Sequence, residues 1–259
     1  LTYTLLSRYG IPIPKTIYMY NYEFDNFDWL EFSDLSFPVI IKPIDEAHGN
    51  GVCMNIISIL ELQKKLKISF SLYPKMIIQE QISGDECRVL VVLWQVIVAY
   101  NRIPPSIVWD GYSTVRQLID YENINNPLRQ EDYYAPLSLI LSDNELVDFI
   151  DKQWYWLNSI LQKWIELQVR WNSNMGTGGI AKDMTHIIHD DIKKLCLDVA
   201  NKLNLSICWV DILATDFTKP LHESWGVILE VNRTPWIGGN RELTAVNSGR
   251  EILRKLFNI

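Results

Sequence analysis

The chain has 259 residues, of which 48% are hydrophobic, a proportion typical of a globular protein with a real core and not of a disordered tail. Its 24 Lys and Arg residues against 31 Asp and Glu residues give a formal net charge of −7, and the chain lacks basic runs, so a nucleic-acid partner, which relies on phosphate neutralisation, is not expected. The most apolar stretch, residues 89–100, is too short to span a bilayer, so we expect no membrane partner.

The four cysteines are scattered without any CxxC spacing, at Cys53, Cys87, Cys196 and Cys208. This pattern favours reduced, buried thiols over a disulfide framework or a zinc site. It is typical of a cytoplasmic protein, and residues 1–14 show no signal peptide.

The first third of the chain predicts a compact α+β unit. Residues 1–14 contain a short amphipathic helix that ends at Gly10. Strands are then predicted at 16–21, 37–44 and 76–82, with a loop followed by a further strand within 44–56, and a helix is predicted at 57–73. Residues 25–36 could form a small helix. This order predicts an antiparallel sheet with one packed helix.

The rest of the chain also mixes strands and helices. A two-stranded hairpin is predicted at 88–103, helices at 113–123 and 189–204, and two further strands at 206–216 and 225–232. Residues 143–171 are ambiguous, because the Trp and Leu spacing fits one long helix while the last eight residues alternate like a strand; we expect a helix first and a strand last.

The last two predicted strands carry oxygen-bearing side chains. Glu230 and Asn232 are two residues apart and therefore share one face of an extended strand, and Asp211 interrupts the strand before it. A set of oxygen ligands favours Mg²⁺. The alternative is that these are ordinary polar positions at a sheet edge.

Two earlier segments could bind a nucleotide. Lys42 lies late in an apolar strand, before a loop with Gly49 and Gly51, which is an arrangement that can bind phosphates although it is not the Walker pattern. Residues 80–86 turn from one strand into another between Glu80 and Glu86, where backbone groups could read an adenine edge. Taken alone, this second segment is more simply a hairpin with a polar turn.

Taken in chain order, Lys42 with its glycine-containing loop comes first, the turn at 80–86 second, and the strands with Asp211, Glu230 and Asn232 last. In that order the three motifs resemble the ATP-grasp superfamily, whose members bind nucleotide between two α+β subdomains. The resemblance is closest to the ATP-grasp module of cyanophycin synthetases, with the ATP-grasp half of bifunctional glutathione synthetases as a relative. It is carried by residues 37–52, 83–92, 101–120, 169–185 and 210–232.

The resemblance implies an α+β, ATP-grasp fold with ATP gripped between antiparallel sheets. Residues 1–14 would be an N-terminal helix, 15–88 the lid subdomain, and 89–259 the central subdomain with the metal and substrate sites. It implies a ligase that phosphorylates a carboxylate with ATP and lets an amine attack the acyl phosphate, on an amino acid or short peptide.

The resemblance also assigns roles to residues. ATP would contact Lys42, His48, Gly49, Gly51, Glu80, Gln81, Ile82 and Glu86. Mg²⁺, or Mn²⁺ in its place, would bind Asp211, Glu230 and Asn232. The acyl phosphate or the substrate carboxylate would be gripped by Arg88, Arg102 or Arg170, because arginine offers a bidentate fork, and Asn172, Asn174 and Thr177 would line the substrate side.

Several differences between this sequence and the family pattern support a second hypothesis. The phosphate loop has Glu46 and Asn50 where relatives often have a glycine and a basic residue, and the family's Pro-Gly turn is replaced by Pro235 and Trp236. An earlier nucleotide-binding lysine would stand before Leu1. A degenerate ATP-binding scaffold is therefore the alternative to a ligase, and a P-loop for polymer synthesis is not found in these residues.

Tryptophan is abundant, with 10 residues, several of them between residues 154 and 171. Core or interface packing is the common use of such side chains. An interface would suit a homo-oligomer.

Overall fold

The computed structural model describes residues 2–46, 51–131, 135–160, 162–233 and 248–257. The chain forms two compact units, Leu1–Gly84 with Val227–Leu229, and Asp85–Gly226 with Glu230–Ile259. The assignment of a lid and a central subdomain to 15–88 and 89–259 stays a prediction.

The first unit is a four-stranded sheet with one helix packed on it. Its elements are helix α1 (Thr2–Arg8), strand β1 (Thr16–Tyr20), two 3₁₀ segments (Asn21–Asn26 and Trp29–Asp34), strands β2 (Val39–Pro43) and β3 (Cys53–Ile56), helix α2 (Ile59–Ser69) and strand β4 (Lys75–Glu80). The strands lie in the order β1-β4-β2-β3 and all pair antiparallel. The predicted α+β unit is confirmed, while the small helix expected at 25–36 is replaced by the two 3₁₀ segments.

The alternation of buried and half-buried side chains along the strands and the cap at the start of helix α2 explain why these residues fold as they do. Val39 and Ile41 are fully buried while Ile40 and Lys42 are half-buried, which is the period-2 pattern of a strand with one covered face. Helix α2 begins after Ser58, whose hydroxyl accepts from the Glu61 amide. Its Leu62 and Leu66, one turn apart, complete the core.

The second unit is built on a five-stranded sheet. Its elements are strands β5 (Asp85–Val92), β6 (Gln95–Ile103) and β7 (Ser106–Val108), helix α3 (Val115–Asn125), strands β8 (Arg129–Gln130) and β9 (Leu137–Ser138), helix α4 (Asn144–Asp151), strands β10 (Glu166–Gln168) and β11 (Ile180–Asp183), helix α5 (Asp190–Lys202), strands β12 (Ile207–Ala214) and β13 (Val227–Asn232), and helix α6 (Ser248–Phe257). The large sheet has the order β11-β6-β5-β12-β13.

The two faces of this sheet differ. Helix α5 packs against β5, β6 and β12 with Ile192, Cys196 and Val199 buried. Burial, followed by the neighbouring Cys87 and Cys208, raises the pKa of the Cys196 thiol. Since side chains alternate along a strand, Glu86 and Arg88 point to the opposite face from Cys87.

A smaller core forms around α3 and α4. Trp109, Val115, Ile119, Leu146 and Ile150 are buried together. The ambiguous stretch is a helix first, which ends at Asp151, and a strand last, β10, as predicted. Strands β7 to β9 and β11 and helix α6 had no prediction.

Three of the four cysteines are buried and Cys53 is half-buried. Trp109 and Trp209 are buried, whereas Trp154, Trp164 and Trp225 are exposed. Within the described residues, no helix combines the length and the apolar character needed to cross a membrane.

Candidate active site

Four charged side chains share one face of the five-stranded sheet. Arg88 on β5 stands directly opposite Asp211 on β12, and Glu86, two residues before Arg88, stands opposite Arg102 on β6. Residues that pair across antiparallel strands lie on the same face, as do residues i and i+2 of one strand. The fold therefore places two arginine–carboxylate pairs side by side.

The first pair is a bidentate fork. Arg88 donates from Nε to Asp211 Oδ1 at 2.7 Å and from Nη2 to Oδ2 at 2.5 Å. Burial lowers the pKa of the Arg88 guanidinium, but the Asp211 carboxylate outweighs it and the pKa ends above its usual value. The guanidinium of Arg88 thus remains a fixed positive charge, with 23% of its side chain exposed.

The second pair includes a serine. Arg102 donates from Nη1 to Glu86 Oε1 at 2.6 Å and from Nε to the Ser173 carbonyl at 3.3 Å. Ser173 Oγ donates to the other Glu86 oxygen at 2.6 Å. Both oxygens of Glu86, which was predicted to contact ATP, are therefore bonded within the protein, and the cluster ties the sheet to the segment that follows Asn172.

The polar segment Asn172–Gly179, here called the polar loop, folds on itself. Asn172 Oδ1 accepts from the Asn174 amide and the Thr177 hydroxyl, at 3.1 and 2.8 Å. Asn174 caps the 3₁₀ segment Met175–Thr177 by accepting from the Gly176 amide at 3.0 Å. The three predicted substrate residues are thus brought together, and their side-chain oxygens fix the loop.

Arg170 does not lie on this sheet face. Its side chain is fully buried, and it donates to Glu145 Oε2 at 2.9 Å, to Asp143 and to the Leu141 carbonyl. Its Nε is buried without a hydrogen-bond partner among the described residues. A guanidinium engaged in this way does not offer its fork to an acyl phosphate, so the structure favours a positioning role for Arg170.

In the first unit, Lys42 lies on β2 and contacts Tyr3 of α1. Its Nζ donates to Tyr3 Oη at 2.9 Å and lies 5.1 Å from the centre of the ring. Tyr3 in turn donates to the Leu229 carbonyl. An ammonium group has three donors, so Lys42 can bind Tyr3 and a phosphate together.

The predicted phosphate loop is described in part. His48 and Gly49 lie outside the described residues, as do Asn50, Pro235 and Trp236. Gly51 has φ +70, and a Cβ there would stand 2.7 Å from both Pro43 and Tyr73. Glycine is therefore required at this end of the loop.

The predicted adenine segment follows β4. The amides of Glu80 and Gln81 donate to the Lys15 and Pro38 carbonyls. The Gln81 side chain exchanges two hydrogen bonds of 2.8 Å with Asn55. The amides of Glu80 and Gln81 are thus bonded within the protein, and a contact between Ile82 and adenine stays a prediction.

The predicted metal ligands lie on neighbouring strands. Asp211 on β12 is 2% exposed, whereas Glu230 on β13 is exposed and Asn232 half-buried. The described residues hold no cluster of three His, Cys, Asp or Glu side chains arranged for a metal, and this set has two carboxylates and an amide. Its all-oxygen donors suit Mg²⁺, and the metal site stays a prediction.

Sequence reasoning missed several residues that organise the site: Tyr3, Asp143, Glu145 and Ser173. Ser173 could have been found, because it lies between two asparagines that were selected. The others reach their partners from distant parts of the chain, and no local pattern marks them.

Comparison with known proteins gives one consistent family. The family that matches is the RimK-like ATP-grasp domain, over residues 1–106. Cyanophycin synthetase of Synechocystis sp. is 35% identical over 244 residues, which are 90% of this chain and 27% of that protein. The bifunctional glutathione biosynthesis protein GshAB of Streptococcus mutans is 31% identical over 222 residues, 83% of this chain and 28% of that protein.

Solved structures agree on the fold. A bifunctional glutathione synthetase from Pasteurella multocida superposes with a TM-score of 0.69 at 22% identity, over 99% of this chain and 35% of that one. The ATP-grasp ligase PsnB, complexed with a minimal precursor, Mg and ADP, gives 0.55 at 15% identity, over 99% of this chain and 56% of that one. The chain thus spans little more than a quarter of the curated relatives named above.

Proposed function

Because the chain belongs to the ATP-grasp superfamily, we propose that it is an ATP- and Mg²⁺-dependent ligase that joins a carboxylate to an amine. The reaction would transfer the γ-phosphoryl group of ATP to the carboxylate, releasing ADP. The amine then attacks the acyl carbon, loses a proton, and phosphate leaves as the amide forms.

The observation that supports this proposal most is the sheet face with Arg88 and Arg102. Each guanidinium is oriented by a carboxylate, Asp211 or Glu86, through bonds of 2.5 to 2.7 Å. Negative charge develops on the phosphoryl oxygens and on the tetrahedral centre, and preorganised cations on a partly buried face stabilise it. Arg88 and Arg102 each give two donors to protein groups, so each guanidinium keeps further N–H groups and both are our candidates for the acyl phosphate.

The nucleotide would be held by groups of the first unit. Lys42, fixed by Tyr3, would bind phosphate oxygens, and the loop that includes His48, Gly49 and Gly51 would cover them. Glu80, Gln81 and Ile82 would contact adenine and ribose.

The predicted Mg²⁺ ligands are Asp211, Glu230 and Asn232. The ion, or Mn²⁺ in its place, would neutralise phosphate charge when bound. The Asp211 carboxylate would serve Arg88 and the metal together.

The substrates we propose are amino acids or short peptides. Asn172, Asn174 and Thr177 of the polar loop would lie on the substrate side. Two classes of substrate are open: an Asp-Arg polymer primer, which the resemblance to cyanophycin synthetases implies, and a precursor of glutathione, which the name of the second relative suggests. The pocket that selects between them is not encoded in the shared motifs.

ADP release with ATP and Mg²⁺ tests the proposal. The panel should contain Asp, Arg, an Asp-Arg polymer, Cys and γ-glutamylcysteine, offered singly and in pairs. We expect turnover that needs one carboxylate and one amine and that falls strongly in Glu230→Gln.

Turnover that is independent of the amine would point to an ATPase. ATP binding without turnover for any pair would favour the scaffold alternative over the ligase.

A further inference from the structure

The turn that starts helix α4 contacts the polar loop through a compact set of charges. Glu145 accepts from Arg170 Nη1 with one oxygen and from Trp171 Nε1 and Asn172 Nδ2 with the other, at 2.5 and 3.2 Å. Asp143 accepts from Arg170 and also caps the helix by accepting from the Leu146 amide at 3.0 Å. One helix terminus therefore holds three consecutive residues at the start of the loop.

The far end of the loop is held as well. Arg129, 5% exposed, donates from Nη1 to the Gly178 and Ser138 carbonyls, each at 2.8 Å. Gly178 has φ +104, and a Cβ there would stand 2.8 Å from Ile140 Cα. The loop is thus held at its start by side-chain bonds to Glu145 and at its end by the bond from the buried Arg129 to the Gly178 carbonyl.

We propose that Glu145, acting through Arg170 and Asn172, is a positioning residue that sets the affinity of the polar loop for the amino-acid or peptide substrate. This inference rests on the proposed ligase function. Glu145 itself would not touch substrate, since its oxygens are bonded to Arg170, Trp171 and Asn172. It would work by keeping the Asn172 oxygen aimed at Thr177 and the Asn174 amide.

The test compares Glu145→Ala, Glu145→Gln and a matched control, Asp148→Ala, which removes an exposed carboxylate of the same helix. In Glu145→Ala the KM for the substrate should rise about tenfold, the equivalent of roughly 1.4 kcal/mol, while the KM for ATP stays unchanged. Glu145→Gln should recover part of the loss because it keeps one acceptor oxygen.

Amide hydrogen exchange gives a readout that does not need turnover. The amides of Asn174, Gly176 and Gly179 should exchange faster in Glu145→Ala and as in wild type in Asp148→Ala. Unchanged exchange, or a KM for ATP that rises as much as that for the substrate, overturns the positioning role. An inactive wild type with loosened exchange in the variant would overturn the ligase proposal and leave the loop clamp standing.

A different observation concerns the backbone at four tryptophans. Within the described ranges, the non-glycine residues with positive φ are Asn55, Leu93, Trp94, Trp154, Trp164, Asn204 and Trp225. Four of these seven are tryptophan, although the chain has 10 tryptophans in 259 residues. Bulky side chains are genuine outliers in this region because Cβ crowds the following carbonyl.

Each of the four occupies a place where standard turn geometry calls for glycine. Trp94 is the second residue of the two-residue turn between β5 and β6, with φ 60 after Leu93 with φ 44, and such turns favour glycine there. The Ile165 amide donates a hydrogen bond to the Gln162 carbonyl and closes a four-residue turn. Trp164, with φ 73, is the third residue of this turn, a position at which a type II turn requires glycine.

The other two follow helical turns. Tyr155 N donates to Ile150 O across Trp154, and Gly226 N donates to Leu221 O across Trp225, which is the six-to-one bond of a Schellman motif. The residue before the donor is usually glycine. Asn204 stands at the same place after α5, and asparagine is a residue that tolerates it.

Packing of the indole rings does not explain why tryptophan stands at these four positions. Trp154, Trp225 and Trp164 are 82%, 79% and 76% exposed, and Trp94 is 47% exposed. Lys163 lies over the Trp164 ring at 4.9 Å, a contact of low value at an exposed site.

We propose that these four are glycine positions, and that the cells that make the protein place glycine there by decoding a single codon type as glycine. The codon UGA is suited to this, since different genetic codes read it as stop, tryptophan or glycine. One decoding rule would account for four outliers of one residue type at four unrelated turns.

Two measurements test this inference. Peptide mass mapping of the protein isolated from its native cells should show glycine at 94, 154, 164 and 225, and the gene should carry UGA at all four. Tryptophan masses, or UGG codons, at these positions would overturn the decoding claim.

The conformational claim is tested in a recombinant chain with tryptophan at each position. Replacing each of the four by glycine should raise the melting temperature by about 2 °C, and by several degrees together. Alanine, which keeps Cβ, should give little gain, and Trp156→Gly, at an exposed tryptophan outside the positive-φ set, should give none. An equal change in melting temperature on placing glycine at position 156 and at the four positive-φ positions would contradict the conformational claim.

Discussion

At the residue scale, the proposed chemistry depends on carboxylates that orient arginines. Asp211 is 2% exposed and binds Arg88 through two hydrogen bonds. Removing the charge of one partner of such a pair leaves the other insufficiently compensated, which costs far more than the net value of the pair. Asp211 therefore compensates the charge of Arg88 on the sheet face, and the anion site that we propose there depends on this pair.

Asp211→Asn should lower the free energy of unfolding by about 3 kcal/mol, the lower end for a buried pair because Arg88 is partly exposed. Urea unfolding at neutral pH measures this. Asp198→Asn, which breaks the exposed pair with Lys202, should change the free energy by less than about 1 kcal/mol. Equal effects of the two substitutions would contradict a structural pairing of Asp211.

Asp110, which precedes helix α3, makes a pH-dependent contribution to the stability of the fold. Slight desolvation raises its pKa, but hydrogen bonds from the Ser113 hydroxyl and the Ser113 and Tyr112 amides outweigh it and lower the pKa to about 2. A carboxyl group whose pKa is lower in the folded than in the unfolded state stabilises the fold at pH values above the unfolded pKa, which is near 3.8. This contribution is lost as the pH falls towards 2.

We therefore expect wild type to be more stable than Asp110→Asn above a pH of about 4, with the difference vanishing between about 4 and 2. Unfolding curves of both proteins across this range provide the check. A difference that persists at the acid end would show that the carboxylate charge is not its source.

At the scale of elements, the end of the polar loop at Gly179 has no room for a Cβ atom. A Cβ at Gly179 would stand 2.5 Å from the Ser173 carbonyl oxygen and 2.9 Å from that of Asn174. Both are backbone atoms, so the loop itself would have to move. Gly176 offers a matched contrast, with its nearest atom, Asn174 Oδ1, at 3.5 Å.

Gly179→Ala should cost roughly 1–3 kcal/mol of stability, as other overpacking substitutions do, and should reduce ADP release by displacing Ser173 from Glu86. Gly176→Ala should keep most of both properties. Thermal unfolding and the ADP assay on the two variants decide this, and equal tolerance of both substitutions would speak against a tightly packed loop.

The elements also show how far sequence reasoning reaches. The alternation along β5, β6 and β12 predicts these strands, and their antiparallel pairing brings Glu86, Arg88, Arg102 and Asp211 to one face. Arg170 shows where such reasoning stops. Its partners Asp143 and Glu145 begin a helix some 25 residues earlier, and a pairing over this distance leaves no local pattern.

At the scale of the whole molecule, ligand binding should be visible as stability. A non-hydrolysable ATP analogue with Mg²⁺ at about a hundred times its Kd should stabilise the chain by about 2.7 kcal/mol. Lys42→Met should reduce the thermal shift at the same concentration. Lys67→Met, at an exposed lysine of α2, serves as the control, and an equal reduction in both variants would remove Lys42 from the nucleotide site.

The central claim is ligation through an acyl phosphate, and one isotope measurement tests it most directly. The carboxylate substrate that supports amine-dependent ADP release is labelled with heavy oxygen on both atoms, and the inorganic phosphate is analysed by mass. The account predicts one phosphate per amide formed, and one labelled oxygen in each phosphate. The bridging oxygen of the acyl phosphate comes from the carboxylate and leaves with the phosphate when the amine attacks the acyl carbon. Phosphate without label, released while the amide accumulates, would contradict the acyl-phosphate route.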